Sequence, residues 1–285
     1  MRRFKVILSF LLIIITLCSC GSTPTLSSFN PSDLVIHYID VGQGDSILIQ
    51  VNGKNMLVDS GSSQNKDKLF NYLKKINVHK FDYVIATHPH EDHIGNMASI
   101  IKKCTVKNFY APKVTNNSKS FEKMIDALID KDLKINVIKA EINSITLGND
   151  VNISFFAPLS LDYGDDLNNY SAVFKITYGD TSFLFTGDCE QINEEELLKE
   201  GFDLNSDVLK VAHHGSTTSS SNDFIKAVSP DFAVISVGKK NDYHHPAEKT
   251  LATLTQNNAK ILRTDKCGTI IFKSDGKNIF YCTEK

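Results

Sequence analysis

A short apolar strand candidate, Tyr83 to Ala86, runs directly into Thr87-His88-Pro89-His90-Glu91-Asp92-His93. Three imidazoles and two carboxylates crowd the six residues from His88 to His93, and few folds have a use for such a run. His88 and His90 are two apart, so an extended or turning segment points both rings the same way. Asp92 and His93 open the next helix and face a second point. Neutral imidazole and carboxylate suit zinc, manganese or iron, and a carboxylate between two cations can bridge them. Asp188, which follows Thr186-Gly187 at another strand end, is the expected bridge. The alternative is a polar loop with surface histidines, and the density of donors argues against it. The run therefore predicts metal binding, with two points served from one loop.

The surrounding pattern predicts a layered α/β architecture. Leu34 to Ile39, Ser46 to Val51 and Asn55 to Val58 read as strands, and Leu69, Tyr72, Leu73 and Ile76 fall on one face of a helix. Later strands are expected at Val151 to Phe155, Ala172 to Tyr178, Ser182 to Phe185, Val208 to Ala212 and Phe232 to Val237, with helices at Ile192 to Lys199, Asn222 to Val228 and Ala247 to Gln256. Sheets with helices outside them bury both faces, which predicts a sandwich in one domain over residues 34–285. His88, Asp188, His213 and His245 each follow a strand or lie in a nearby loop. They can converge on one edge.

The N-terminus bears on the compartment. Met1-Arg2-Arg3-Phe4-Lys5 is basic, Val6 to Leu17 is apolar but for Ser9 and Thr16, and the stretch is short for a membrane span. Leu17-Cys18-Ser19-Cys20-Gly21 resembles a bacterial lipobox. Residues 1–19 are expected to be a lipoprotein signal peptide, and residues 20–33 a Ser/Thr/Pro-rich flexible tether with Cys20 lipidated. The expected location is the extracytoplasmic face of the cell membrane. Removal of Arg2, Arg3 and Lys5 leaves 28 basic against 33 acidic side chains, a net −5. That balance lacks the basic footprint of a tight, non-specific nucleic-acid binder, although bound metals supply local positive charge. Four further cysteines permit disulfides in an exported chain, and Cys267 with Cys282, flanking a hairpin candidate, is the expected pair.

The run His88-Pro89-His90-Glu91-Asp92-His93 matches the HxHxDH signature of the metallo-β-lactamase superfamily. Ile39-Asp40-Val41-Gly42-Gln43-Gly44-Asp45-Ser46, Val58-Asp59-Ser60-Gly61, Asn168-Asn169-Tyr170-Ser171, Leu184-Phe185-Thr186-Gly187-Asp188, His213-His214-Gly215-Ser216 and His245-Pro246 extend the likeness. Together they resemble the hydrolase domain of ComEC-type competence proteins, without the membrane channel. The resemblance implies an αββα sandwich and a two-metal hydrolase, with zinc or manganese as the ions. It implies that His88 and His90 hold one metal, that Asp92 and His93 hold the other, that Asp188 lies between them and that His245 completes the second site. No histidine lies between His93 and His213, and Asn168 stands near the place where many members carry one.

Asp92 and His213 are the residues expected to take part in the chemistry. Gly215 and Ser216 make a turn whose N–H groups can meet an anion, and His213 can stabilise developing charge or protonate a leaving oxygen. His214 and Asp59 are expected at the substrate or behind the ligands. The implied reaction is hydrolysis by a hydroxide bridging two metals, on a phosphodiester in DNA or a cell-wall polymer. Other readings are a surface choline-phosphate esterase, a β-lactam hydrolase and a non-catalytic surface binding module. The membrane is an expected partner through the lipid anchor, and no protein partner is implied.

Overall fold

Short, nearly continuous apolar runs in the first third of the chain pair into one sheet. The computed structural model describes residues 30–141, 145–148 and 150–285. Its strands β1 (Leu34–Tyr38), β2 (Ile47–Val51) and β3 (Lys54–Val58) are antiparallel neighbours. Helix α1 (Lys66–Lys75), the short β4 (Lys80–Phe81) and β5 (Tyr83–Ile85) follow, with β5 parallel to β3. Then come α2 (Glu91–Ile94), α3 (Met97–Lys103), β6 (Thr105–Val106), β7 (Phe109–Pro112), α4 (Lys119–Asp130) and β8 (Ile135–Ile138).

The second sheet begins with β9 (Val151–Ala157), β10 (Val173–Tyr178) and β11 (Thr181–Phe185), continues through α5 (Gln191–Glu200), β12 (Val208–Lys210), α6 (Asn222–Val228) and β13 (Phe232–Ile235), and closes with α7 (Glu248–Gln256) and β14 (Lys260–Arg263). The chain then returns to the first sheet by way of α8 (Thr264–Cys267), β15 (Ile270–Ser274) and β16 (Ile279–Thr283). The sheet orders are β16-β15-β1-β2-β3-β5-β7-β8 and β14-β13-β12-β11-β10-β9. The second sheet changes from antiparallel to parallel pairing at β11–β12.

Three apolar layers hold this arrangement. Ile36, Tyr38 and Phe272 of the first sheet meet Phe174, Phe183 and Phe185 of the second in a buried core between the sheets. Leu48, Leu57 and Val84 turn to the other face, where Leu69, Leu73, Ile100 and Leu128 of the helices cover them. Leu184, Leu209 and Ala233 are covered in the same way by Leu197, Phe224 and Leu254. The result is the expected αββα sandwich. Burial on both faces of a strand explains why Phe183 to Phe185 of β11 and all of β13 read as continuous apolar runs instead of alternating ones.

Packed structure starts slightly before Leu34. Asp33 is buried, accepts from the Asn30 N–H at 2.8 Å and lies 3.1 Å from Lys273 Nζ, so the last residues assigned to a tether are part of the fold. Residues 1–29, which include the expected signal peptide and Cys20, lie outside the described residues. No helix among the described residues is long and apolar enough to cross a membrane. The expected Cys267–Cys282 bridge is not formed, and all four described cysteines are free thiols. Cys267 ends α8, ahead of the hairpin, and the register places Cys282 opposite Ile271.

Candidate metal centre

Strand β5 delivers the donor-rich loop to the edge of the sandwich, and Asp59 fixes it there. The Asp59 N–H donates to Ile85 O, while its carboxylate accepts from Thr87 N at 2.8 Å, Thr87 Oγ1 at 2.7 Å and His93 Nδ1 at 2.8 Å. Asp59 has φ 60°, a left-handed conformation that short acidic side chains tolerate. Thr87 spends its proton on Asp59, so its oxygen accepts from His88 Nδ1 at 3.1 Å. His214 Nδ1 donates to Ser236 O at 2.9 Å. In each case the outer ring nitrogen is tied down and Nε2 is turned inward, the arrangement that prepares imidazole for a cation.

The inward atoms converge. Single ligand atoms from Asp92, His93, Asp188 and His214 all lie within 4.8 Å of one another. Asp188 Oδ2 is 3.2 Å from His93 Nε2, 3.4 Å from His214 Nε2 and 3.9 Å from His88 Nε2. His214 Nε2 is also 3.1 Å from Asp92 Oδ2, and His88 Nε2 is 3.0 Å from His90 Nδ1. Two buried atoms in this group, His93 Nε2 and Asp188 Oδ1, make no hydrogen bond. The close approach of His93 Nε2 to Asp188 is off the line that a hydrogen bond needs. Buried donors that face one another without bonding fit a divalent cation among them, so the residues present suit the metals that the sequence implies.

The electrostatics agree. Burial opposes charge on His93, but Asp188, Asp59 and Asp92 outweigh it and push its pKa well above the ordinary value. His214 is likewise disfavoured by burial, yet Asp188 and Asp92 raise it to about 10. Burial would raise Asp188, and His214 with His93 instead hold it well below the carboxylate range. Burial and the neighbouring His93 lower His88. The field that draws protons onto His93 and His214 is the field that attracts a cation.

The other expected residues lie around a cavity of about 300 Å³ lined by His90, Asp92, Asp188, His213, His214, Tyr243 and His245, among others. His213 and His214 have φ of 49° and 53°, and two successive left-handed residues send adjacent rings to different places. His214, expected at the substrate or behind the ligands, is in the cluster. His213 faces the cavity with Nε2 3.9 Å from Asp188 Oδ2. His245 lines the same cavity, its ring 5.6 Å from the His213 ring and stacked on Tyr243, with its buried Nδ1 unbonded. Burial, followed by the neighbouring His214 and His213, lowers His245 to about 4. Asn168 sits beside His90 and donates to Glu190 Oε1 at 3.2 Å.

Two residues were missed. Glu190 belongs to none of the recognised motifs, and its proximity to Asp188 was the available signal. Lys210, fully buried, lies 2.7 Å from Asp45 Oδ2 directly behind His214. A lone cation in the apolar run Val208 to Ala212 was the mark of a buried pair.

The family description "Metallo-beta-lactamase superfamily" matches residues 39–239. The chain belongs to this superfamily. It is 31% identical over 268 residues to ComE operon protein 3 of Bacillus subtilis, covering 88% of this chain and 34% of that protein. It is also 31% identical over 237 residues to competence protein ComA of Neisseria gonorrhoeae, covering 82% and 31%. This ComEC-like superfamily member thus spans about a third of the length of the curated relatives it matches. Among solved structures, YhfI of Bacillus subtilis shares the fold at TM-score 0.55 and 16% identity, covering 87% of this chain and 99% of that one. Igni18, a metallo hydrolase of Ignicoccus hospitalis, does so at 0.55 and 16%, covering 89% and 100%. A superfamily metallo-hydrolase fold with a possible metal-binding cluster is the common ground of these comparisons and the geometry.

Proposed function

We propose that this ComEC-like metallo-hydrolase is a phosphodiesterase, tethered by lipid at the extracytoplasmic face of the membrane and acting on DNA or a phosphodiester-linked wall polymer. The observation that carries the reading is His213, held at the cavity wall with Nδ1 beside Glu190 and Nε2 facing the donor cluster 3.9 Å from Asp188. A hydrolase that expels an alkoxide needs a proton donor beside its nucleophile site, and His213 is placed for that task. The relative named a competence protein favours DNA among the candidates. The anchor rests on the basic, apolar and small-residue order ahead of Cys20.

His88 and His90 would hold one cation and Asp92, His93 and His214 the other, with Asp188 within reach of both and His245 lining the same cavity. Zinc or manganese held there would acidify water and neutralise charge on the phosphoryl group. This chain's own residues do the rest. Asp59, Thr87 and Ser236 hold the rings in register, Asn168 lies against His90, and His213 donates a proton to the leaving oxygen.

The test is a substrate panel with manganese or zinc: bis(4-nitrophenyl) phosphate, single- and double-stranded DNA, a phosphorylcholine ester and a chromogenic β-lactam. Turnover of the diesters with the lactam untouched is expected. Lactam turnover without diester cleavage overturns the reading, and cleavage of the choline ester alone moves the substrate to wall-bound phosphorylcholine.

A further inference from the structure

Glu190 lies two residues beyond Asp188, and its side chain is a junction. Oε1 is 3.2 Å from His213 Nδ1, accepts from Thr218 Oγ1 at 2.8 Å and accepts from Asn168 Nδ2 at 3.2 Å. Thr218 spends its proton on Glu190, so its oxygen, 3.1 Å from His213 Nδ1, can only accept from the ring. Both neighbours of Nδ1 are therefore acceptors, and Nδ1 carries a proton. Nε2, the remaining ring nitrogen, is then aimed into the cavity toward Asp188.

We propose that Glu190 is a positioning residue for catalysis: it fixes Thr218, whose oxygen accepts from His213 Nδ1–H, and sets its carboxylate 3.2 Å from Nδ1, so that Nε2 addresses the leaving oxygen. The proposal rests on the phosphodiesterase reading of the site. In the step it serves, a water oxygen bonds to phosphorus and the phosphorus–oxygen bond to the leaving group breaks. The electron pair stays on the leaving oxygen, which takes the Nε2 proton of the imidazolium. The ring is left neutral with its Nδ1 proton still held by Thr218 Oγ1 beside Glu190, and the proton released by the attacking water restores the imidazolium. An acceptor at Nδ1 favours both ring states that the cycle needs and disfavours the tautomer with Nε2 protonated and Nδ1 bare.

A purely structural role is the competing account, because Glu190 and Asn193 also form a capping box at the start of α5. Leaving-group dependence separates the two. The full chain loaded with zinc is assayed on a dinucleoside phosphate, whose alkoxide needs a proton, and on a nucleotide 4-nitrophenyl ester, whose phenolate does not. Glu190→Ala should lower kcat about a hundredfold on the first and less than about tenfold on the second, the size expected for loss of oriented proton donation. KM and metal content should hold, and Glu190→Gln, which keeps an acceptor oxygen for both ring and cap, should recover part of the loss. Equal losses on both substrates, or loss of a metal equivalent, overturn the proposal.

A second readout needs no substrate. Long-range ¹H–¹⁵N correlations of the zinc-loaded protein should show His213 protonated at Nδ1, and Glu190→Ala should release that preference. A wild-type ring protonated only at Nε2 overturns the proposal whatever the protein cleaves. If the wild type cleaves neither diester, the phosphodiesterase reading falls, and with it the catalytic role of Glu190. The correlations then decide separately whether Glu190 holds the ring.

Discussion

His213 and His214 are consecutive, yet His214 Nε2 lies 3.1 Å from Asp92 while His213 Nδ1 lies 3.2 Å from Glu190, on a different wall of the cavity. The left-handed backbone at both positions makes this divergence possible. Adjacent imidazoles thereby reach two sets of partners and can serve two purposes.

The first prediction follows from that division. His88→Ala, Asp188→Ala and His214→Ala should each lower metal content and rate together, because each removes an inward donor. His213→Ala should keep the metals and cost on the order of a hundredfold in rate. Elemental analysis beside a diester assay checks it. Loss of a metal from His213→Ala, with His214→Ala keeping both, would exchange the two assignments. His245→Ala reports whether this cavity-lining residue joins the second site.

Much of this was legible in the sequence because it is local. The donor run sits at the end of a strand, helix α6 was expected at Asn222 to Val228 and occupies those residues, and the inter-sheet core follows from apolar strands. The division of labour between His213, His214 and His245 was not legible. It depends on His214 meeting Asp92 across 122 positions of chain, a contact no local period encodes. Glu190 was hidden for the same reason, since its partners Asn168 and Thr218 come from separate loops. The cysteine pairing failed on register, because flanking a hairpin does not place two residues opposite each other.

Asp59 tests the support behind the ligands. Asp59→Asn replaces an oxygen that accepts from His93 Nδ1 with a group that can present N–H to it. The ring then gains by moving its proton to Nε2, the atom aimed at Asp188. Metal affinity should fall roughly ten- to a hundredfold, the range for loss of such a partner, and competition with a chromogenic chelator measures it. Unchanged affinity would show that His93 is oriented by packing alone.

Gly44 ties the first glycine-rich turn to the same loop. Its φ is 123°, and a Cβ there would run into the carbonyl oxygen of Asp92, which accepts from the N–H of Asp45. Gly44→Ala should therefore cost at least about 2 kcal/mol through backbone strain and displace Asp92 enough to weaken metal binding. Thermal melts with and without metal check both effects. Gly53→Ala, also at positive φ but with nothing near the added Cβ, is the control for strain without the clash.

The anchor is tested in cells with a fatty-acid analogue. Cys20→Ala should abolish labelling and release the protein from the membrane fraction. Equal labelling of Cys20→Ala overturns the lipoprotein reading.

The last prediction concerns acid stability away from the metal centre. His37, wholly buried on β1, donates from Nε2 to Gln50 Oε1 at 3.0 Å and accepts at Nδ1 from the Tyr72 hydroxyl at 2.7 Å. Burial, partly offset by Gln50, lowers its pKa to about 4. In the unfolded chain the ring titrates near 6.5, so between pH 6.5 and 4 the unfolded state holds more protons and acid favours unfolding. The contribution is complete above pH 6.5 and is lost as pH falls to 4, on the order of 3 kcal/mol in all. His37→Leu removes that titration. Its own stability will be lower because Gln50 and Tyr72 lose a partner, but its dependence on pH should be shallower than the wild type's across this window. Denaturant midpoints at pH 7, 5.5 and 4.5, taken without metal so that ligand protonation is common to both proteins, measure the two slopes. Parallel slopes would mean that His37 takes up its proton in the folded state near the ordinary value, through opening of the β1–α1 contact.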